Sequence, residues 1–135
     1  MKDQIKLAES IARRVHANQY RRDGVTPYIN HVETVVELIG KADEKTIAAA
    51  WLHDVLEEGS NISELISEGI DKEIVDIVKV LTKDKHQSYS DYINTVSQNA
   101  IASKIKLADI AHNFYDDPTA HQIEKYAKAL ELLLI

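Results

Sequence analysis

At 135 residues, with 44% apolar and 28% charged residues, the chain has the size and composition of one soluble globular domain with a full core. It contains no cysteine, which excludes disulfides, zinc knuckles and thiol catalysis and fits a reducing compartment. A net charge of −6 argues against broad nucleic-acid or membrane-surface binding, but leaves room for a small polyphosphate held by a metal and a local basic cluster.

In chain order, MKDQIKLAES carries no apolar signal core, and Thr46–Leu52 is too short an apolar run to span a bilayer, so the expected location is cytoplasmic. Ile5, Leu7, Ala8, Ile11, Ala12 and Val15 recur at helical spacing and predict a first helix from about Lys2 to about Tyr20. Arg21–His31, RRDGVTPYINH, reads as a loop through its Asp-Gly and Thr-Pro steps, with Pro27 suited to opening the next helix. Ile29, Val32, Val35, Val36 and Ile39 give helix two its apolar stripe, and Gly40 suits its C-terminal end. Asp43 is placed to cap a third helix running through Ile47, Ala50, Trp51 and Val55. Ser60–Gly69 reads as a loop with a short helix, and Asp71 caps a segment with Ile74, Val75, Ile77, Val78 and Leu81 buried. Thr82–Ser88 is polar loop. Ser90–Phe114 is helical in one or two pieces, with Ile93, Val96, Ala100, Ile101, Ile105 and Ala108 facing the core. After Pro118 a last helix runs from about Ala120 to the end, on a stripe of Ile123, Tyr126, Ala127 and Leu130. No strand alternation persists, so the expected fold is all-α, a compact single-domain bundle of irregular helices.

One stretch concentrates chemistry. Ala48–Gly59, AAAWLHDVLEEG, delivers His53, Asp54, Glu57 and Glu58 at the end of an apolar run with no lysine or arginine among them. A second stretch, Lys104–Asn113 (KIKLADIAHN), sets Asp109 within another apolar run. With His31 at the start of helix two, the candidate metal ligands are His31, His53, Asp54 and Asp109. Two imidazoles and two carboxylates form a mixed, fairly hard set that suits manganese, iron or zinc better than calcium. Two aspartates balance one divalent ion and leave positions open for water and substrate. On one continuous helix, Glu57 follows His53 and Glu58 follows Asp54 by one turn, which places both acids beside the metal to orient water or move protons.

AWLHDVLEE, IKLADIAHN and RRDGVTPYINH together resemble the HD superfamily of metal-dependent phosphohydrolases. More narrowly, they resemble the hydrolase domain of RelA/SpoT-type enzymes and the small alarmone hydrolases related to metazoan SpoT homologues. The likeness runs from His16 to about Asn113, with a weaker match to Tyr126. It implies that residues 1–135 form one HD-type domain. It also implies removal of the 3′-pyrophosphate of guanosine tetra- or pentaphosphate, with Mn²⁺ as cofactor and Fe²⁺ or Zn²⁺ as alternatives. Carried over by position, the ligands are His31, His53, Asp54 and Asp109 and the acidic pair is Glu57 and Glu58. The substrate contacts are Arg21, Arg22, Lys106, Asn113 and Tyr126.

The chain departs from the family pattern in three places: Val32 follows His31 where proline is usual, Glu58 stands where aspartate is usual, and Ile110 follows Asp109 where a basic residue is usual. The readings left open are another nucleotide substrate, such as the adenosine analogue, NADPH or a nucleoside phosphate, and a module that senses a nucleotide without turning it over. His16, His86, His112 and His121 read as ordinary structural or surface histidines, with a weak hint that His16 and Gln19 support the site. Trp51 and Tyr28 read as core and loop-anchoring residues. The apolar end Leu132–Ile135 must be covered, by the bundle or by a second copy in a homodimer.

Overall fold

Helix starts in this chain are written by short polar side chains. In the computed structural model, which describes residues 3–116 and 118–134, nine helices follow one another. They are α1 (Gln4–Val15), α2 (Tyr28–Ile39), α3 (Glu44–Trp51), α4 (Val55–Glu58), α5 (Ile62–Ser67), α6 (Lys72–Val80), α7 (Tyr89–Ser97), α8 (Ala100–Tyr115) and α9 (Ala120–Leu133). Asp3, Asp43, Asn61, Ser88, Asn99 and Thr119 each accept a backbone N–H of the first turn through the side chain, and Thr119 closes a reciprocal capping box with Gln122. Gly40 ends α2 at φ 70° and Gly59 ends α4 at φ 135°, backbone values that glycine adopts without strain. No strand occurs among the described residues; Tyr20 and Pro27 form a lone antiparallel bridge across the Arg21–Thr26 loop. No described helix is long and apolar enough to cross a membrane. The all-α expectation holds.

The short helix α3 is the hub. Ala48, Ala49 and Ala50 are fully buried, and the missing side-chain bulk lets α1, α2, α6 and α8 all pack on α3. Around it Ile11, Val32, Val35, Leu52, Ile74, Val78, Ile93 and Ile105 complete the core. α8 also packs on α2, which brings Asp109 opposite His31.

Several expected boundaries move. α1 stops at Val15 rather than near Tyr20, because the chain turns at His16 and Gln19 then bonds back through its carbonyl to the Tyr28 N–H. The expected start at Lys2 lies outside the described residues. The third helix ends at Trp51 and does not run through Val55. Leu52 (φ −96°, ψ 2°) and Asp54 (φ −113°, ψ 0°) both occupy the sparsely populated bridge region. The His53 Nδ1–H donates to the Ala50 carbonyl at 2.8 Å, satisfying an oxygen that a continuing helix would have used. Ser90–Phe114 resolves into α7 and α8, divided where Asn99 caps α8, and Ala100 is exposed rather than core-facing because it sits in the first turn of α8. Asp71 holds the cap position of α6 without a side-chain cap bond. On α9 the buried residue is Ala129, while Ile123 and Ala127 are exposed; α9 lies on α7 and α8 over a narrow strip, so only part of its apolar pattern is covered. Leu132 and Leu134 remain partly exposed, and Ile135 lies outside the described residues.

Candidate metal centre

The break after α3 is what aims the ligands. With Nδ1 spent on Ala50, His53 turns Nε2 inward, where it is buried. It lies 3.0 Å from Asp54 Oδ2 and 3.6 Å from Asp109 Oδ1, yet has no well-aligned hydrogen-bond partner. His31, in the first turn of α2, points Nε2 at Asp109 Oδ1 (2.8 Å) and lies 4.0 Å from Asp54 Oδ2. The structure thus gathers all four expected ligands, His31, His53, Asp54 and Asp109, with one donor atom from each inside a group no wider than 4.8 Å. Ligands about 2.1 Å from a common ion stand about 3 Å apart at right angles, so this spread suits one ion after small adjustments.

The electrostatics agree with that chemistry. Burial opposes charge on His53, but Asp54 and Asp109 outweigh it and hold the imidazole pKa well above its usual value. Burial likewise opposes the two carboxylates. On Asp54 it is outweighed by His53, and on Asp109 by Lys106, by the hydrogen bond from His31 and by the nearby His53 ring, so both sit below the ordinary carboxylate range. The positive charge that the carboxylates draw onto His53 is the charge a divalent cation would supply in its place, and the neutral ring would then offer the buried Nε2, which has no well-aligned partner, as a donor atom.

Supporting bonds come from residues read as ordinary in sequence. Tyr28 donates its hydroxyl to Asp54 Oδ2, and burial followed by the Asp54 charge pushes the phenol pKa upward, so it stays a donor. His112 Nδ1 lies 2.7 Å from His31 Nδ1. A metal at His31 Nε2 requires the proton on Nδ1, and His112 Nδ1 is the acceptor for it. Burial, then His31 and Arg21, lowers the His112 pKa and keeps that lone pair available. His16 packs its ring, tilted by 42°, 5.0 Å from that of Tyr28 and bonds Gln19 through Nδ1 at 2.7 Å; Gln19 in turn donates to the Glu58 carbonyl at 3.0 Å. The chain signal for His112 was its place one turn after Asp109; nothing comparable marked Tyr28.

Two cavities of about 220 Å³ each flank the cluster. The first holds His53, Asp54, Asp109, Glu57 and Lys106, together with Lys83, Tyr89, Tyr92 and Lys125, which the sequence reading did not select. Glu57 is solvent-exposed at the cavity wall, and desolvation there, then the Asp54 charge, raises its pKa. Lys106, with 15% of its side chain exposed, donates to Asp109 Oδ2 at 2.8 Å, so it is already committed to an anion rather than presented as a free cation. The second cavity is lined by Arg21, Arg22, Tyr126, Tyr28 and Asn113, and Asn113 is shared by both. Both acids of α4 are exposed, but Glu58 lines neither cavity, because α4 begins only after Asp54 and turns that side chain away from them. Ile110, where the family pattern has a basic residue, is fully buried. A larger apolar groove of about 390 Å³ between α7 and α9 holds none of the four ligands.

Comparison with known proteins gives a family match, described as HD domain, over residues 8–124. The bifunctional (p)ppGpp synthase/hydrolase SpoT of Escherichia coli K12 is 35% identical over 130 residues, covering 82% of this chain and 18% of that one. The guanosine-3′,5′-bis(diphosphate) 3′-pyrophosphohydrolase MESH1 of Drosophila melanogaster is 32% identical over 111 residues, covering 75% of this chain and 62% of that one. The chain thus spans under a fifth of the bacterial SpoT-type relatives and about three fifths of MESH1. Among solved structures, one described as a metazoan ortholog of SpoT that hydrolyzes ppGpp superposes with a TM-score of 0.80 at 24% identity, over 98% of this chain and 86% of that one, and establishes the shared fold.

Proposed function

The chain belongs to the HD domain family, and from that premise we propose that residues 1–135 act as one Mn²⁺-dependent (p)ppGpp 3′-pyrophosphohydrolase domain, with His31, His53, Asp54 and Asp109 as the metal ligands. The observation that carries this is the convergence of four donor atoms within 4.8 Å around a buried His53 Nε2 that has no hydrogen-bond partner. The relatives named for (p)ppGpp hydrolysis supply the substrate class. When bound, the metal lowers the pKa of water and neutralises phosphoryl charge.

The residues divide the remaining work. A water oxygen bonds to the phosphorus attached to the ribose 3′-oxygen, the P–O3′ bond breaks, the 3′-oxygen takes a proton and pyrophosphate leaves. Glu57, on the wall of the ligand cavity and with a raised pKa, orients that water and takes its proton. Of the acidic pair the role falls to Glu57, with Glu58 outside the cavity. Lys106 and Tyr28 fix Asp109 and Asp54. Arg21, Arg22, Asn113 and Tyr126 form the neighbouring cavity wall, where a purine nucleoside can stack and bond.

The test is release of pyrophosphate and GDP from ppGpp by the purified protein with Mn²⁺, Fe²⁺ or Zn²⁺ added in turn and the adenosine analogue run in parallel. Asp54→Ala should abolish turnover; full activity in that variant sinks the ligand assignment. Intact ppGpp beside hydrolysis of another nucleotide overturns the substrate. Exposed Leu132 and Leu134 are the surface that a homodimer would bury, which sedimentation measures.

A further inference from the structure

Three hydrogen-bond donors on the wall of the ligand cavity have no acceptor of matching charge. The Tyr89 hydroxyl, at the start of α7, is buried and has no hydrogen-bond partner. Lys125 of α9 stands with Nζ 4.3 Å from the centroid of the Tyr89 ring. Lys83, in the loop after α6, bonds through Nζ to the Asp84 backbone oxygen at 3.1 Å. Neither lysine has a carboxylate within ion-pair distance among the described residues, whereas Lys106 in the same cavity is paired with Asp109. Burial, then Lys106 and Lys83, lowers the Lys125 pKa, a sign of uncompensated positive charge in the cavity. Burial raises the Tyr89 pKa, so its hydroxyl remains a donor.

A buried hydroxyl left unpaired is destabilising, and crowded ammonium groups add repulsion. One kind of ligand relieves both at once: a compact anion with several acceptor oxygens. These donors lie on the cavity wall apart from the four metal ligands. A monoester whose single phosphoryl group sits at the metal would leave them unsatisfied.

We propose that Tyr89, Lys125 and Lys83 form a phosphoryl subsite that holds the outer phosphate of the leaving pyrophosphate, so that the site selects diphosphate esters over monophosphate esters. The proposal rests on the phosphohydrolase reading for which phosphate is outer and which is under attack. The Tyr89–Lys125 stacking contact gives the corner its shape, since the aromatic face holds the ammonium without neutralising it.

The experiment uses the whole protein with Mn²⁺ in excess, and inorganic pyrophosphate and inorganic phosphate as probes, with binding read by calorimetry. The parent should bind pyrophosphate about tenfold or more tighter than phosphate. Tyr89→Phe keeps the ring and the stacked lysine but removes the hydroxyl. It and Lys125→Met should each weaken pyrophosphate about three- to tenfold, with phosphate affinity, Mn²⁺ content and melting temperature unchanged. Lys128→Met, one turn along α9 and outside the ligand cavity, should change neither probe. Equal affinity for the two probes in the parent, or equal weakening of both in the variants, overturns the subsite. If pyrophosphate discrimination follows this pattern while ppGpp stays intact, the alarmone reading falls and the subsite stands. If ppGpp is hydrolysed and both variants keep the parent's discrimination, the subsite falls and the alarmone reading stands.

Discussion

The His/Asp cluster has cations on both flanks, and the two flanks hold them differently. On one side Arg21 donates to Asp116 Oδ2 at 2.8 Å and to Asn113 Oδ1 at 3.1 Å, and Arg22 donates to Gln122 and to the Asp116 carbonyl. On the other side Lys83 and Lys125 face the cavity with no carboxylate partner among the described residues. The arginines tie the Arg21–Thr26 loop to the end of α8 and the start of α9, so the Arg21 charge is met by Asp116 and both guanidinium groups are engaged before any ligand arrives. The lysines keep theirs for a ligand. A phosphoryl group therefore gains most on the lysine side, while the arginine side offers a prebuilt wall for a planar base.

Asp109 joins the ligand cluster to the lysine side, since Oδ1 meets His31 and Oδ2 meets Lys106, and its removal should have the largest effect. Asp109→Ala should eliminate metal binding and, by stranding the mostly buried Lys106 ammonium, destabilise the fold by about 3–5 kcal/mol. Metal analysis and urea unfolding of the same preparation check both halves. A loss of metal with stability within about 1 kcal/mol of the parent would mean that Lys106 is solvated once unpaired, and the contrast between the two flanks would weaken.

His112→Ala probes the cluster from behind. His112 is only partly buried, so the fold should hold, while the loss of the acceptor for His31 Nδ1–H should lower Mn²⁺ affinity about 10- to 100-fold. Unchanged affinity removes His112 from the site. Arg21→Ala comes next. Its side chain is 11% exposed, and losing a paired guanidinium that joins two elements should cost about 1–3 kcal/mol. Arg21→Lys should restore only part, because an ammonium cannot reproduce the fork between Asp116 and Asn113. Full recovery with lysine would make the arginine flank a matter of charge alone, like the other.

The difference between the flanks also marks what the chain made readable. Helix positions followed from apolar spacing, and the start of α3 from its capping residue Asp43, because both are local. The ligands were readable as a set because each rides at a helix start or within an apolar run, and their family resemblance supplied the order. The break at Leu52–Asp54 was not readable, since the apolar pattern runs on through Val55. The stop depends on the His53 ring closing over Ala50, a conformation the pattern does not encode. That break is also why Glu57 and Glu58, expected to act alike, diverge: Glu57 lines the cavity and Glu58 does not. Tyr89, Lys83 and Lys125 come from three separate elements, and only the packing of α7 and α9 on α8 brings them to one wall. No spacing within one segment could have selected them.

The smallest expected effect tests where the stiffness of the arginine flank originates. Asp23, between Arg22 and Gly24, accepts the Val25 and Thr26 N–H groups through Oδ1 at 2.8 Å each and the Thr26 hydroxyl through Oδ2. These bonds favour the carboxylate, and the first of them by weight, from the Thr26 hydroxyl, helps bring its pKa down to about 2. A folded pKa below the unfolded value of about 3.9 means that the contribution to stability is complete above that pH and is lost as pH falls through about 2. Asp23→Asn keeps an acceptor for the backbone N–H groups but cannot titrate. Its melting temperature at pH 7 should therefore stay close to the parent's, and its decline between about pH 4 and pH 2 should be shallower. Parallel acid limbs would show that Asp23 keeps its charge equally well in the unfolded chain. The loop would then owe its shape to the Arg21–Asp116 pair rather than to its own turn, and the arginine flank would be rigid only because α8 and α9 hold it.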